Sequence, residues 1–294
     1  MKIGYYPGCS LHKVANQYDK SLFKIAEKMG IELEELNDWN CCGALEVTSV
    51  NHAAAQGLVA RNLAQAEVQQ LEQVIAVCPA CSLRHATINH EMQDPAVAEE
   101  VNGLLDTPYT PSSVDFKHFL HYLRDDYGID KIKELVVPDN PLAGKKGVSY
   151  YGCLLARPYD ILQFEDPDNP TFMDDLIATV GATPLEFPLK TRCCGATQLM
   201  VSKGTVEALT GNILVAAKEA GADFIVLACQ MCALALDGQQ KGAIKKAKGG
   251  KFKIPILYFT QLMGIGMGLD YKSLGLGLNY VSPKALLRSE KKKK

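Results

Sequence analysis

Ten cysteines are the residues of this 294-residue chain best suited to chemistry, and they fall into two sets of five. The first set is Cys9, Cys41, Cys42, Cys78 and Cys81; the second is Cys153, Cys193, Cys194, Cys229 and Cys232. Successive offsets are 32, 1, 36 and 3 in the first set and 40, 1, 35 and 3 in the second. The flanks repeat too: "YYPGCS" answers "YYGCLL", "VIAVCPAC" answers "IVLACQMC", and Gly-Ala follows each Cys-Cys pair. Agreement at five positions in order, with flanks, indicates duplication of a unit of about 145 residues rather than a short solenoid repeat.

Clustered thiols outside a secreted disulfide scaffold serve metals or redox chemistry. A structural zinc ion takes four ligands in a tetrahedron, one fewer than each set offers. Side chains of adjacent cysteines diverge, so they chelate one ion poorly and serve two metals more easily. Iron–sulfur clusters take cysteine thiolates, usually four, so a fifth implies an unusual cluster, a bridging thiolate or an iron with an exchangeable ligand. A thioredoxin-like reading of either Cys-x-x-Cys leaves three cysteines of each set without a role.

The elements that must position these thiols read as strand alternating with helix. "KIGYY" and "GVSYY" run as strands into Cys9 and Cys153. Tyr18, Leu22, Ile25, Ala26 and Met29 share one helical face that Gly30 terminates. Phe172, Leu176, Ile177 and Val180 form its counterpart, stopped by Gly181 and delayed by the insert "FEDPDNP". Helices through Leu58, Leu63 and Leu71, and through Val206, Leu209, Ile213 and Ala217 up to Gly221, follow the two Cys-Cys-Gly motifs. "QVIAVC" and "DFIVLAC" suit buried parallel strands. The expectation is an α/β protein of two similar halves, 1–140 and 141–294, each with a short parallel sheet flanked by helices and related by a pseudo-two-fold axis. The seam falls in "VVPDNPLAGKKG", rich in breakers. Thiols then lie at strand ends and helix starts, where open α/β sheets gather ligands.

Composition narrows the function classes. With 47% hydrophobic and 22% charged residues the chain can bury an ordinary core. A formal charge of −2 gives no electrostatic case for nucleic acid. No apolar run reaches the roughly 18–20 residues that cross a bilayer, and "MKIGYYPGCS" is too short in its apolar part for a signal peptide. The expectation is a cytoplasmic protein that does not enter a membrane.

The pattern Cys9, Cys41-Cys42-Gly43, Cys78-x-x-Cys81 and its repeat resembles the cysteine-rich CCG-domain family over nearly the whole chain. With two copies and an opening "YYPGC", it resembles the B subunits of heterodisulfide reductases from methanogenic archaea. The motif is shared with iron–sulfur subunits of glycolate and lactate oxidation, anaerobic glycerol-3-phosphate dehydrogenase and thiol:fumarate reductase. The resemblance implies a noncubane 4Fe–4S cluster in each half, held by that half's five cysteines. It further implies a subunit that reduces the mixed disulfide of coenzyme M and coenzyme B in methanogenesis. Disulfide reduction takes two electrons, and two one-electron centres facing one cleft match that number. The other reading is an electron-transfer subunit that serves a flavin-dependent hydroxyacid or glycerol-3-phosphate dehydrogenase; a zinc-stabilised scaffold is the non-enzymatic one.

Both coenzymes are anionic, so basic residues beside the motifs are candidate substrate contacts: Arg84 and His85, Arg157, and Lys190, Arg192 and Lys203, with His12 and Lys13 as lesser ones. The chain has no C-x2-C-x2-C-x3-C-P run and no dinucleotide fingerprint; "GIGMGLD" (264–270) lacks the third glycine and reads as a flexible helix end. Electrons must therefore come from partners. The resemblance supplies two of them, one ferredoxin-like and one flavin-bearing, in the same complex, with a hydrogenase or formate dehydrogenase beyond them. The closing "KKKK" reads as a solvated tail.

Overall fold

The computed structural model describes residues 2–288; the lysine tail lies outside the described residues. Eight strands form two four-stranded sheets of repeated order, β2-β1-β3-β4 and β6-β5-β7-β8. The first comprises β1 (Lys2–Tyr5), β2 (Glu32–Glu35), β3 (Gln73–Ala76) and β4 (Asp115–His118). The second comprises β5 (Lys146–Tyr150), β6 (Thr183–Pro184), β7 (Phe224–Leu227) and β8 (Ile256–Tyr258). Every pairing is parallel, so each connection must cross over through a helix. β7 is buried throughout and β3 nearly so, as their unbroken apolar runs require.

The crossover helices bury the faces that the periodicity picks out. In the helix Asn16–Lys28, Tyr18, Leu22, Ile25 and Ala26 are buried, and Gly30 ends it at φ +71°. Phe172–Thr179 is its counterpart, ended by Gly181 at φ +77°. The helix His52–Val68 starts where the Asn51 side chain accepts the Ala54 N–H at 3.0 Å. Leu71, expected on this helix, lies beyond it and is buried in the turn before β3, while Leu58 is only half-buried. The helix Lys203–Glu219 sits so close to Gln240–Lys246 that a Cβ on Gly211 would lie 2.3 Å from the Ala243 carbonyl oxygen.

The halves are not separate bodies. The helix Phe259–Gly266 of the second half packs on Asn16–Lys28 of the first. There Ser21 and Thr260 hydroxyls meet at 2.6 Å, Tyr18 stacks on Tyr258 at 3.9 Å, and the Tyr18 hydroxyl donates to the Ala228 carbonyl at 3.0 Å. Ile129–Glu134 reciprocates by packing on Phe172–Thr179. One apolar core consequently runs through both halves, with a smaller one confined to the first. The "GIGMGLD" segment is the tightly packed end of Phe259–Gly266 and not a flexible one. A Cβ on Gly264 would meet Leu274 at 2.3 Å, and one on Gly266 would meet Val180 at 2.4 Å. Among the described residues no helix is long and apolar enough to cross a membrane.

Candidate metal centre

Each set of five thiols collects at the C-terminal edge of its own sheet. Cys9 and Cys153 follow β1 and β5 directly, and the Cys-Cys pairs lie after β2 and β6. Cys78 and Cys229 end β3 and β7 and precede the helices Pro79–Glu91 and Gln230–Leu236, whose first turns carry Cys81 and Cys232. All ten thiols are free. Cys42 and Cys81 sulfurs meet at 3.4 Å, and so do those of Cys194 and Cys232.

Matching backbone devices hold both sets. The Tyr6 hydroxyl donates to the Asn40 carbonyl, just before the first Cys-Cys pair, at 2.8 Å. Tyr150 does the same to Arg192, before the second. Tyr6 therefore corresponds to Tyr150, although the letters "YY" align Tyr5 with it. The strand register agrees, since Tyr5 faces Ile75 as Ser149 faces Val226. What counts is the distance from the tyrosine to its cysteine, and the extra Pro7 shifts the dipeptide. Gly8 and Gly152 adopt φ +65° and +72°, and a Cβ on either would sit 3.2 Å from the Cys81 or Cys232 sulfur. Both glycines keep a cradle open above the thiols.

The thiols titrate as groups that need a cation. Sulfhydryl contacts with Cys41 and Cys81 pull Cys42 down to about 2, while Cys41 is pushed well up. Contact with Cys232 pulls Cys194 down to about 7, and Cys232 rises in turn. Burial pushes Cys153 up to about 12. Thiolates this crowded cannot all ionise unless positive charge sits among them, and such donors suit iron and its cluster. Among the described residues no three His, Cys, Asp or Glu side chains converge to hold a single ion.

The basic candidates scatter. Lys190 is buried, its ammonium bound to Asp174 at 2.7 Å and the Pro170 carbonyl at 3.1 Å, so it serves as a structural ion pair. Arg157 pairs with Asp168 and reaches the Thr191 carbonyl at 3.5 Å. Lys203 is exposed and 3.8 Å from Glu207. His12 lies between Asp19 and Glu35 at 3.7 and 3.3 Å, and Lys13 is exposed. Arg192 is exposed beside Cys193. Arg84 is buried, and its Nε and Nη2 meet no partner. His85 is fully buried, donating from Nδ1 to the Cys81 carbonyl at 2.7 Å, with Nε2 3.3 Å from the Asn62 amide and its ring stacked on Phe116 at 3.8 Å. A surface cavity of about 800 Å³ lies elsewhere, between Lys241, Lys245, Lys251, Phe252 and Tyr280.

Residues that spacing alone does not pick out join the two sets. The buried hydroxyl of first-half Tyr18 donates to the Ala228 carbonyl, just ahead of second-half Cys229, at 3.0 Å. His118 is buried, its Nδ1 accepting the Leu120 N–H at 3.0 Å and its Nε2 without a partner, and burial lowers it to about 4. Tyr18 and Ala228 stand 210 residues apart in the chain, beyond any local pattern.

The model of the cysteine-rich domain family CCG matches residues 3–84 and 148–237. The chain is 31% identical over 283 residues to the 8-methylmenaquinol:fumarate reductase membrane anchor subunit of Wolinella succinogenes, covering 95% of this chain and 97% of that one. It is 29% identical over 290 residues to the B subunit of the ferredoxin:CoB-CoM heterodisulfide reductase of Methanosarcina mazei, covering 95% and 94%. A protein of Archaeoglobus profundus, described as like the B subunit of heterodisulfide reductase, is 28% identical, with 92% of each chain covered. Among solved structures, a hypothetical protein from Helicobacter pylori superposes with a TM-score of 0.73 at 16% identity over 95% of this chain, a likeness of fold alone. The present chain spans 51% of that protein's length.

Proposed function

The chain belongs to the cysteine-rich CCG family, and on that premise we propose that it is the iron–sulfur subunit of a multisubunit reductase, with a noncubane 4Fe–4S cluster on each thiol set and a disulfide of the coenzyme M–coenzyme B kind as substrate. The observation that carries this reading is the repeated thiol geometry, Cys42 on Cys81 and Cys194 on Cys232 at 3.4 Å, with first-half Tyr18 bound to the Ala228 carbonyl just ahead of Cys229 at 3.0 Å. When bound, each cluster supplies electrons singly, so two side by side match the pair that a disulfide needs.

The chain's own residues do the positioning. Cys9, Cys41, Cys42, Cys78 and Cys81 would hold one cluster, and Cys153, Cys193, Cys194, Cys229 and Cys232 the other. Gly8 and Gly152 leave the space, and the Tyr6 and Tyr150 hydroxyls fix the loops that present the Cys-Cys pairs. Arg84 keeps two guanidinium nitrogens unpaired in the interior, a fixed positive charge one helical turn beyond Cys81. In this reading the electrons arrive from partner subunits, a ferredoxin-like one and a flavin-bearing one, in the cytoplasm.

The identity to the Wolinella succinogenes protein favours a second reading, in which the same two clusters pass electrons within a quinol-linked fumarate reductase. The test is anaerobic purification with iron and sulfide counting, followed by assay of the mixed disulfide with reduced viologen. Brown protein that consumes the disulfide supports the first reading. Brown protein inert to it supports the second, and colourless protein holding zinc defeats both.

A further inference from the structure

The two halves repeat each other in fold but invert in surface charge at one place. After each Cys-x-x-Cys helix, a second helix packs on the long one that follows Cys-Cys-Gly. It is Pro95–Asn102 on His52–Val68 in the first half and Gln240–Lys246 on Lys203–Glu219 in the second. From residue 85 to 116 the first-half stretch carries six carboxylates and no lysine or arginine, and Asp94, Glu99, Glu100 and Asp106 among them are exposed. From 238 to 269 the second-half stretch carries six lysines, Lys241, Lys245, Lys246, Lys248, Lys251 and Lys253, and no carboxylate. All six are exposed, and among the described residues none of them forms an ion pair.

Two cavities of about 800 and 730 Å³ open beside the helix Gln240–Lys246, and Lys241, Lys245 and Lys248 line both. Half-buried Phe252 and exposed Tyr280 line the larger, so an aromatic pair sits inside a cationic rim, the anatomy of a protein interface. The carboxylates that border the cavities are engaged. Asp237 is buried and accepts the Tyr280 and Val281 N–H at 2.7 and 2.9 Å, and Glu207 lies 3.8 Å from Lys203. Like charges gathered on one face repel, a cost that a carboxylate-bearing partner relieves.

The occupant that fits is a protein. Gln240–Lys246 is two turns long and turns Ala243 and Ile244 into the core, which leaves no apolar face to enter lipid. The overall charge of −2 works against a nucleic acid. The face also follows directly from the second thiol set. The helix Gln230–Leu236 carries Cys232 in its first turn and ends on Asp237, about 7.5 Å further along its axis, where the lysine stretch begins.

We propose that this lysine face is the docking surface of an acidic electron-carrying protein, that the carrier passes electrons singly to the second-half site, and that the acidic first-half counterpart turns the same carrier away. This rests on the reading of two iron–sulfur clusters given above. In each encounter the carrier is oxidised by one electron and the site reduced by one; no bond forms and no proton moves.

The full-length chain, purified anaerobically, is mixed with a reduced plant-type ferredoxin, a one-electron carrier with an acidic surface, and reoxidation of the ferredoxin is followed by stopped-flow absorbance. A reduced sulfonated viologen, small enough to need no docking, runs in parallel. The ferredoxin rate is expected to fall as salt rises. A chain with Lys241→Gln, Lys245→Gln and Lys248→Gln should lose about tenfold of that rate at low ionic strength, while the viologen rate changes less than about twofold. The same loss of charge at Lys20, Lys28 and Lys133, exposed elsewhere, should leave the ferredoxin rate within about twofold. Cys194→Ser should abolish the ferredoxin reaction and Cys42→Ser should keep it. A ferredoxin rate indifferent to the three lysines overturns the proposal. Equal slowing by the control chain, which would make net charge the cause, or the reverse pattern in the two cysteine variants, overturns it as well. Lysine-dependent sedimentation with phosphatidylglycerol vesicles, with the ferredoxin rate unmoved, would give the face to a membrane and overturn it too. Failure of the underlying reading is distinguishable, because the wild-type chain would then hold no iron or sulfide and reoxidise neither donor.

Discussion

In the first half the helix after Cys81 carries Arg84 and His85 into the interior; in the second the helix after Cys232 carries Ala235 and Leu236. The same pattern holds at the strand ends, where His118, the last residue of β4, answers Tyr258, the last of β8. Yet sulfur–sulfur contacts, glycine cradles and tyrosine ties agree between the halves. Placement of the thiols is therefore a property of backbone: strand ends, positive-φ glycines and carbonyls held by tyrosine. Their electrostatic setting is a property of side chains on the next helical turn, and these can differ without moving a thiol.

The largest effect is expected from Cys42→Ser and Cys194→Ser, each of which should remove about half the bound iron and sulfide, since one thiolate of one set is lost. Metal analysis checks it, and loss of all iron from either variant would show that the sites are not independent. Next comes Leu22→Ala on the shared core, expected to cost about 2–5 kcal/mol. Because Leu22 lies in the core common to both halves, denaturant unfolding should remain one transition. Two separated transitions would mean that the halves unfold apart.

Gly8→Ala and Gly152→Ala come third. Each places a side chain at positive φ, for about 1–2 kcal/mol, and within 3.2 Å of a sulfur. Matched losses in chemical denaturation are expected if backbone frames the two sites alike; a large difference would contradict that. The smallest effect is on acid stability. Burial lowers His118 from 6.5 to about 4, so the folded chain holds it neutral where the unfolded chain would charge it. Its contribution is complete above pH 6.5 and is lost as pH falls toward 4, amounting to about 1 kcal/mol by pH 6. His121, lowered further by burial, adds in the same direction. Tyr258 and Gln261 stand at the matching second-half positions and take up no proton, so His118→Tyr should flatten the slope of stability between pH 7 and 5.

Much of this architecture is legible in the sequence where one physical rule dominates. Apolar runs before Cys78 and Cys229 become buried central strands, and the face Tyr18, Leu22, Ile25, Ala26 becomes a helix ended by glycine. β2 is invisible because "ELEE" is an edge strand whose acids face water, with Glu34 paired to Lys2 at 2.6 Å. β6 is only two residues long and includes Pro184. At the site, the ten thiols announce themselves by type and spacing. Lys190 does not, because charge near a motif looks the same whether it waits for a ligand or is already bound to Asp174. Nor does Tyr18, whose hydroxyl meets a carbonyl 210 residues later in the chain.

The reciprocal packing of the terminal helices has a consequence for proteolysis. Pro138 and Asp139 in the connecting segment are exposed, while Val137 is tied to the Gly266 carbonyl at 2.9 Å. A protease nick there would sever the covalent link and leave Tyr18 against Tyr258 and Ser21 against Thr260. The fragments should thus migrate as a single particle under native conditions and part only in denaturant, keeping the two sets of thiols at a one-to-one ratio.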